Sequence, residues 1–307
     1  MKRLFAAALL LSVLLTGCAG ATAGQETQST TATLATTALA PLTMHFIDVG
    51  HADCTLLTVG ETTILIDGGN TDTSFDVLRY LQRFGVEELD LVVNTHPHGD
   101  HLGGIPTVMN NFPVKAVWCS TSTFSTYLYS QFKSAANSQN LTIDTPDPGT
   151  IYSSDGLTIT VLGPLEAVST YEDLNDTSLV LMIQYGEKKF LFTGDMETYA
   201  ENQLLKSQFN LKADVLKVGH HGSYSSTSQA FLNEVDPDYG IVFCQWGNEY
   251  EHPHAAPMDR LKKAEVELFR TDIMGDIVLI TNGIELAFLL ETSDTTLTGY
   301  EKPLDIP

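Results

Sequence analysis

Past residue 41 the chain alternates short apolar runs with clusters of glycine, proline, asparagine and aspartate. Runs of that length, bounded by breakers, read as strands. They predict strands over residues 44–49, 54–59 and 62–66, the last two joined at Gly60, in a meander ending at Asp67-Gly68-Gly69. A helix follows over 74–84, stopped by Gly85, and then the apolar run 91–93. Further on, the pattern predicts helices over 105–111, 122–137, 197–206, 226–235 and 257–264. Between them it predicts strands over 114–119, 141–145, 157–162, 178–185, 189–192, 215–218 and 239–243. Two closing strands, 276–280 and 284–290, face each other across the hairpin dipeptide Asn282-Gly283. Many strands with helices between them in both halves fit an α/β arrangement: two packed sheets with helices outside. No internal repeat is evident.

The first 41 residues do not share this pattern. Lys2-Arg3 and the apolar run 4–15, too short for a comfortable membrane span, read as an export signal over 1–18. It ends Leu15-Thr16-Gly17-Cys18, which resembles a bacterial lipobox with Cys18 as the lipidated new N-terminus. The alternative is an ordinary signal peptide cut near residues 19–23. Residues 19–41 are rich in Thr, Ala, Ser, Gln and Gly, with too little apolar surface to fold, and read as a flexible tether. The expected folded domain is 42–292, with a polar tail over 293–307. The expected location is the outer face of a bacterial membrane, held by a lipid anchor, or secreted. No protein partner is implied.

Composition narrows the partners. The chain has 307 residues, 43% hydrophobic, with 16 basic against 38 acidic side chains and a formal charge of −22. A field of that sign repels polyanions and counts against extended, nonspecific nucleic-acid binding. It leaves room for a local site that captures one phosphate. The four cysteines, Cys18, Cys54, Cys119 and Cys244, lack zinc-ribbon spacing and show no disulfide framework. The last three sit in or beside apolar runs and read as buried thiols.

The chemistry concentrates in Asn94–Gly104, NTHPHGDHLGG, directly after an apolar run. His96, His98, Asp100 and His101 fall within six positions. As cations the imidazoles would repel one another; as neutral ligands they converge on a divalent metal. His96 and His98 can reach one ion, while Asp100 and His101, past the glycine, can turn toward a second. The bland alternative is a polar surface loop rich in histidine. Asp195 follows Phe190-Leu191-Phe192 and a glycine; there a carboxylate either bridges two ions or caps the next helix. His220 and His221 end another strand. Adjacent residues on extended chain point oppositely, so one of them ligates and the other orients it or meets substrate.

THPHGDHLGG resembles the HxHxDH motif of the metallo-β-lactamase superfamily. FIDVGHADCTLL, LIDGG, NDTSLVL, FLFTGDME, DVLKVGHHGSYSSTS and NEYEHPH, in that order, are similar to the extracellular hydrolase domain of ComEC-like competence proteins and their stand-alone relatives. The resemblance runs from about residue 42 to 290. It implies a four-layer αββα sandwich with the site at one edge of the paired sheets. It implies that His96 and His98 bind one metal, Asp100 and His101 the second, with Asp195 bridging and the His220-His221 pair completing the second site. Many members carry another histidine before the TGD strand; Asn175-Asp176-Thr177-Ser178 lies there, and Asp176 is the natural substitute. His252, or else His254, would contact phosphate or donate a proton. His51 stands where the related pattern usually reads DVGQGD and would line the cleft. Asp48 and Asp67 would be turn residues or acceptors behind the ligands.

The implied cofactors are two divalent ions, zinc or manganese, which N/O ligands alone do not distinguish. Such ions make a shared water nucleophilic near neutral pH, with Asp100 or Asp195 taking its proton. The expected activity is hydrolysis of phosphodiester or phosphoester bonds, in nucleic acid or a cell-envelope polymer. The alternatives are hydrolysis of a small ester, lactone or β-lactam, and a noncatalytic surface-binding module on the same fold.

Overall fold

The computed structural model describes residues 39–121, 123–166 and 173–290. The readings made for residues 1–38, Cys18 among them, and for 291–307 lie outside these. Among the described residues, no helix is long and apolar enough to cross a membrane.

The chain runs through β1 (Leu42–Phe46), β2 (Thr55–Val59), β3 (Thr62–Ile66), α1 (Ser74–Arg83), β4 (Leu91–Asn94), α2 (Gly99–Leu102), α3 (Ile105–Met109), β5 (Val117–Cys119), α4 (Tyr127–Ser138) and β6 (Ile143–Asp144). Next come β7 (Ile151–Ser154), β8 (Leu157–Gly163), β9 (Val180–Tyr185), β10 (Lys188–Phe192), α5 (Thr198–Leu204), β11 (Val215–Lys217) and α6 (Gln229–Val235). It ends with β12 (Tyr239–Val242), α7 (Ala255–Lys263), β13 (Glu267–Arg270), α8 (Thr271–Met274), β14 (Ile277–Thr281) and β15 (Leu286–Leu290). One sheet has the order β15-β14-β1-β2-β3-β4-β5-β6, the other β13-β12-β11-β10-β9-β8-β7.

Strand alternation explains the layering. Leu91 and Val93 of β4 turn into a core shared with Leu181, Ile183, Phe190 and Phe192 of the other sheet. Val92, between them, faces the opposite way, onto Val77, Leu81, Val108 and Phe132 from helices α1, α3 and α4. In the second sheet Leu191 and Leu216 likewise turn outward, onto Ala200, Leu204, Phe231, Leu232 and Leu261 from α5, α6 and α7. The central strands of both sheets are therefore buried on both faces, and the result is the expected αββα sandwich. Cys54, Cys119 and Cys244 are buried free thiols.

Several boundaries differ from expectation. β1 ends at Phe46, before Asp48, whose Oδ1 accepts from the Gly50 amide at 3.1 Å and makes a turn. Helix α4 begins at Tyr127 because the Thr126 side chain caps it, accepting from the Tyr129 amide at 3.1 Å. Strand β7 was not anticipated: it is an edge strand of alternating exposed and half-buried residues, with no apolar run to mark it. Strand β13 and the single-turn α8 were missed for a similar reason, since only Phe269 and Thr271 of them are buried.

Candidate metal centre

Strands β3, β4, β5 and β6 are mutually parallel, as are β10, β11, β12 and β13. Parallel strands deliver their C-terminal ends to one edge, where sites of open α/β sheets form. At that edge Asp67 follows β3, Thr95 to His101 follow β4, Asp195 follows β10, His220-His221 follow β11 and Phe243 follows β12. Close backbone packing joins two of these loops: a Cβ on Gly104 would lie 2.1 Å from the Gly68 carbonyl oxygen. The Gly-Gly steps in both segments are thus a packing requirement as well as a turn signal.

Four imidazoles share one arrangement: each gives its Nδ1 hydrogen to an outward acceptor and turns Nε2 inward. His101 Nδ1 donates to Asp67 Oδ2 at 2.8 Å, and its Nε2 stands 3.2 Å from Asp195 Oδ2. His221 Nδ1 donates to the Phe243 carbonyl at 3.0 Å, and its Nε2 lies 3.3 Å from Asp100 Oδ2 and 3.4 Å from Asp195 Oδ2. His220 Nδ1 donates to Glu197 at 2.9 Å, with Nε2 3.9 Å from Asp195 Oδ2. For His96 the acceptor is Ser178 Oγ at 3.4 Å, whose own hydrogen goes to the Asn175 carbonyl. Its Nε2 faces His98 Nδ1 at 3.0 Å. Donation of the far N–H is what fixes a metal-ligating histidine. Neighbouring ligands about 2.0–2.1 Å from a tetrahedral ion stand roughly 3.3 Å apart, and the separations just given bracket that value. His101 Nε2 is buried and makes no hydrogen bond among the described residues.

The charges agree. Burial alone would depress the His101 imidazole, but Asp195, Asp67, Asp53 and Asp100 outweigh it and hold it well above its ordinary value. His221 is opposed by burial in the same way and raised to about 10, chiefly by Asp195 and Asp100. Asp195 is pushed up by burial yet held well below the carboxylate range by His101, His221 and Lys217. The pocket is built to hold positive charge against carboxylates. His96, beside it, is depressed by burial and by His101, and stays neutral.

Two members were not anticipated. Asp53 lies within a cluster with His101, Asp195 and His221 whose ligand atoms are all within 4.8 Å of one another. Its oxygens, however, sit on the Nδ1 side of both rings, 3.9 Å from His101 and 3.4 Å from His221. That is the side away from Asp195, so Asp53 backs the imidazoles. Lys217 is 2% exposed and places Nζ 2.6 Å from Asp53 Oδ2. A lysine inside the otherwise apolar run 215–218 was the available signal.

Other expected members are redistributed. Asp176 spends Oδ1 on the Glu197 and Ala200 amides, at 2.9 and 3.2 Å, capping α5. It is Asn175, its neighbour, that lines the cleft with His98, Asp100, Asp195, His220 and His221. The helix cap considered for Asp195 is thus made by Asp176. His220 and His221 are not on extended chain: both adopt left-handed φ values, 47° and 52°, so the argument that they point oppositely fails, and both turn Nε2 toward Asp195. His254 Nδ1 accepts from the Tyr224 amide at 3.1 Å, whereas His252 lines the cleft. Burial and neighbouring imidazoles depress His252 to about 3. His51 lines the same cleft, of about 350 Å³, packed on Tyr250 and His221.

With fold and geometry in hand, the comparisons are specific. The family model for the metallo-beta-lactamase superfamily matches residues 47–246. The chain is 31% identical over 201 residues to "ComE operon protein 3" of Bacillus subtilis, covering 66% of this chain and 26% of that protein. It is 30% identical over 230 residues to "Competence protein ComA" of Neisseria gonorrhoeae, covering 74% and 30%. It therefore spans less than a third of the length of these relatives. Among solved structures, the metallo-beta-lactamase fold protein YhfI of Bacillus subtilis superposes with a TM-score of 0.51 at 14% identity, over 78% of this chain and all of that one. The chain belongs to the metallo-β-lactamase superfamily, with ComEC-like competence proteins among its relatives.

Proposed function

We propose that this protein is a metal-dependent hydrolase of phosphodiester or phosphoester bonds, working through a pair of divalent ions, zinc or manganese. One observation carries the reading: imidazoles from two loops turn their Nε2 atoms toward one buried carboxylate, Asp195. In this reading His96, His98 and His220 would hold one ion, Asp100, His101 and His221 the other, and Asp195 would serve as a ligand beside them. His220 takes the ligand place that Asp176, occupied as a helix cap, leaves open.

When bound, such ions supply Lewis acidity, lowering the pKa of water toward neutrality and polarising the oxygen under attack. The chain supplies the rest. The Asp100 side chain is 29% exposed, the most open of the site carboxylates, and is the group to receive the proton of the attacking water. His252 offers a neutral ring N–H to a phosphoryl or leaving-group oxygen, and His51 and Tyr250 wall the cleft beside it. The charge of −22 favours a small or short phosphoester over a long polyanion. The HHGS and HPH elements rank phosphodiesters above carboxylic esters and β-lactams. We assign the enzyme to the bacterial surface, anchored through lipidated Cys18 or else secreted.

The test is a substrate panel of bis(p-nitrophenyl) phosphate, single- and double-stranded DNA, RNA, phosphorylcholine esters and a β-lactam. Each is assayed with added zinc or manganese, and Asp195→Ala serves as control. Metal-dependent turnover of a phosphodiester that Asp195→Ala loses is expected. Turnover of the β-lactam alone, or equal turnover by both proteins, contradicts the reading.

A further inference from the structure

Lys217 sits where a metallohydrolase has no obvious use for a cation, a few ångströms from the carboxylate assigned to the ions. An ammonium has three N–H donors, and each has its own acceptor here: the Gly194 carbonyl at 2.8 Å, Asp195 Oδ1 at 3.3 Å and Asp53 Oδ2 at 2.6 Å. The two oxygens of Asp195 therefore face different things. Oδ1 faces Lys217, while Oδ2 faces Nε2 of His101, His220 and His221. Gly194 adopts φ +50°, and a Cβ there would lie 2.8 Å from Ser178 Oγ; the same Oγ accepts from the Asp195 amide at 3.0 Å. Backbone and side chain of Asp195 are thus gripped from opposite sides.

We propose that Lys217 is a positioning residue of the metal centre: it holds Asp195 through Oδ1, so that Oδ2 stays turned toward the imidazole Nε2 atoms that would hold the ions. Asp53 is the fixed counter-ion of this lysine and the rest behind His221, 3.4 Å from its Nδ1. A buried ammonium beside cation ligands is tolerable because Asp53 offsets its charge locally. The inference rests on Asp195 being a metal ligand, and it extends that reading from the ligands to what orients them.

The experiment is calorimetric titration of metal-free protein with Mn²⁺ and with Zn²⁺, alongside thermal unfolding, for wild type, Lys217→Met and Asp53→Asn/Lys217→Met. Lys217→Met is expected to weaken binding of at least one ion by about tenfold or more, within the roughly 10–100-fold range for residues behind metal ligands. The double variant, which leaves no unpaired buried charge, is expected to regain thermal stability without regaining affinity. If Lys217→Met does not fold, the double variant decides alone. Wild-type affinity in either variant overturns the proposal; in the double variant it would mean that the lysine only neutralises Asp53. Wild type taking up less than one equivalent overturns both this proposal and the metal reading, whereas failure of the lysine's role alone leaves wild-type uptake intact.

Discussion

His101 Nδ1 and Asp67 Oδ2 meet at 2.8 Å across thirty-four residues of chain, both side chains fully buried. Asp67 also accepts from the Thr95 amide and hydroxyl, each at 2.7 Å, so one carboxylate sets both the ring and the loop that carries it. Asp67→Asn keeps a residue that tolerates the left-handed φ of 56° at this position but loses a strong acceptor. It is expected to weaken metal binding roughly 10–100-fold with an unchanged circular dichroism spectrum. Competition with a chelator measures this, and affinity within twofold of wild type would refute the assigned role.

Asp176 separates a structural carboxylate from a ligand. Its loss removes the acceptor for two amides at the start of α5. Asp176→Ala should cost about 1 kcal/mol of stability, the usual price of a lost helix cap, while metal content stays at the wild-type value. Urea unfolding of metal-free protein and elemental analysis check the two halves. A lost metal equivalent would restore Asp176 as a ligand.

His45 gives a pH dependence remote from the metal centre. It is buried against Tyr80 and Phe84, and burial lowers its pKa from 6.5 to about 4. The unfolded chain takes up a proton near the ordinary value and the folded chain does not, so the unfolded state gains as pH falls between the two. Stability is full above pH 6.5 and should fall from there to about pH 4, by roughly 3 kcal/mol from this residue. Urea unfolding at pH 7 and 4.5 in chelator, for wild type and His45→Leu, isolates the contribution. Equal losses in both proteins would count against it.

What was legible in the sequence follows from how local each signal is. The loop after β4 declares itself because four side chains of metal-ligating type fall in six positions on one strand end. Asp195 was readable from the apolar strand and glycine before it. Lys217 and Asp53 were not read because their meaning is a pairing across 164 residues of chain, invisible to spacing. The contact Asp176 makes was not foreseen, because a cap and a ligand both call for a carboxylate before the TGD strand; it is the amides of Glu197 and Ala200 that Oδ1 meets. The reading of His220-His221 failed on backbone conformation, since two consecutive left-handed residues outside glycine are not foreseen from propensity.

The most direct test of the paired-ion pocket is metal content. Protein purified through metal-free buffer, reloaded with zinc or manganese and desalted, is analysed by plasma mass spectrometry beside Asp195→Ala and His221→Ala. Two equivalents per chain in wild type, and one or fewer in each variant, are predicted. Less than one equivalent in wild type, or the same content in all three, would contradict the account.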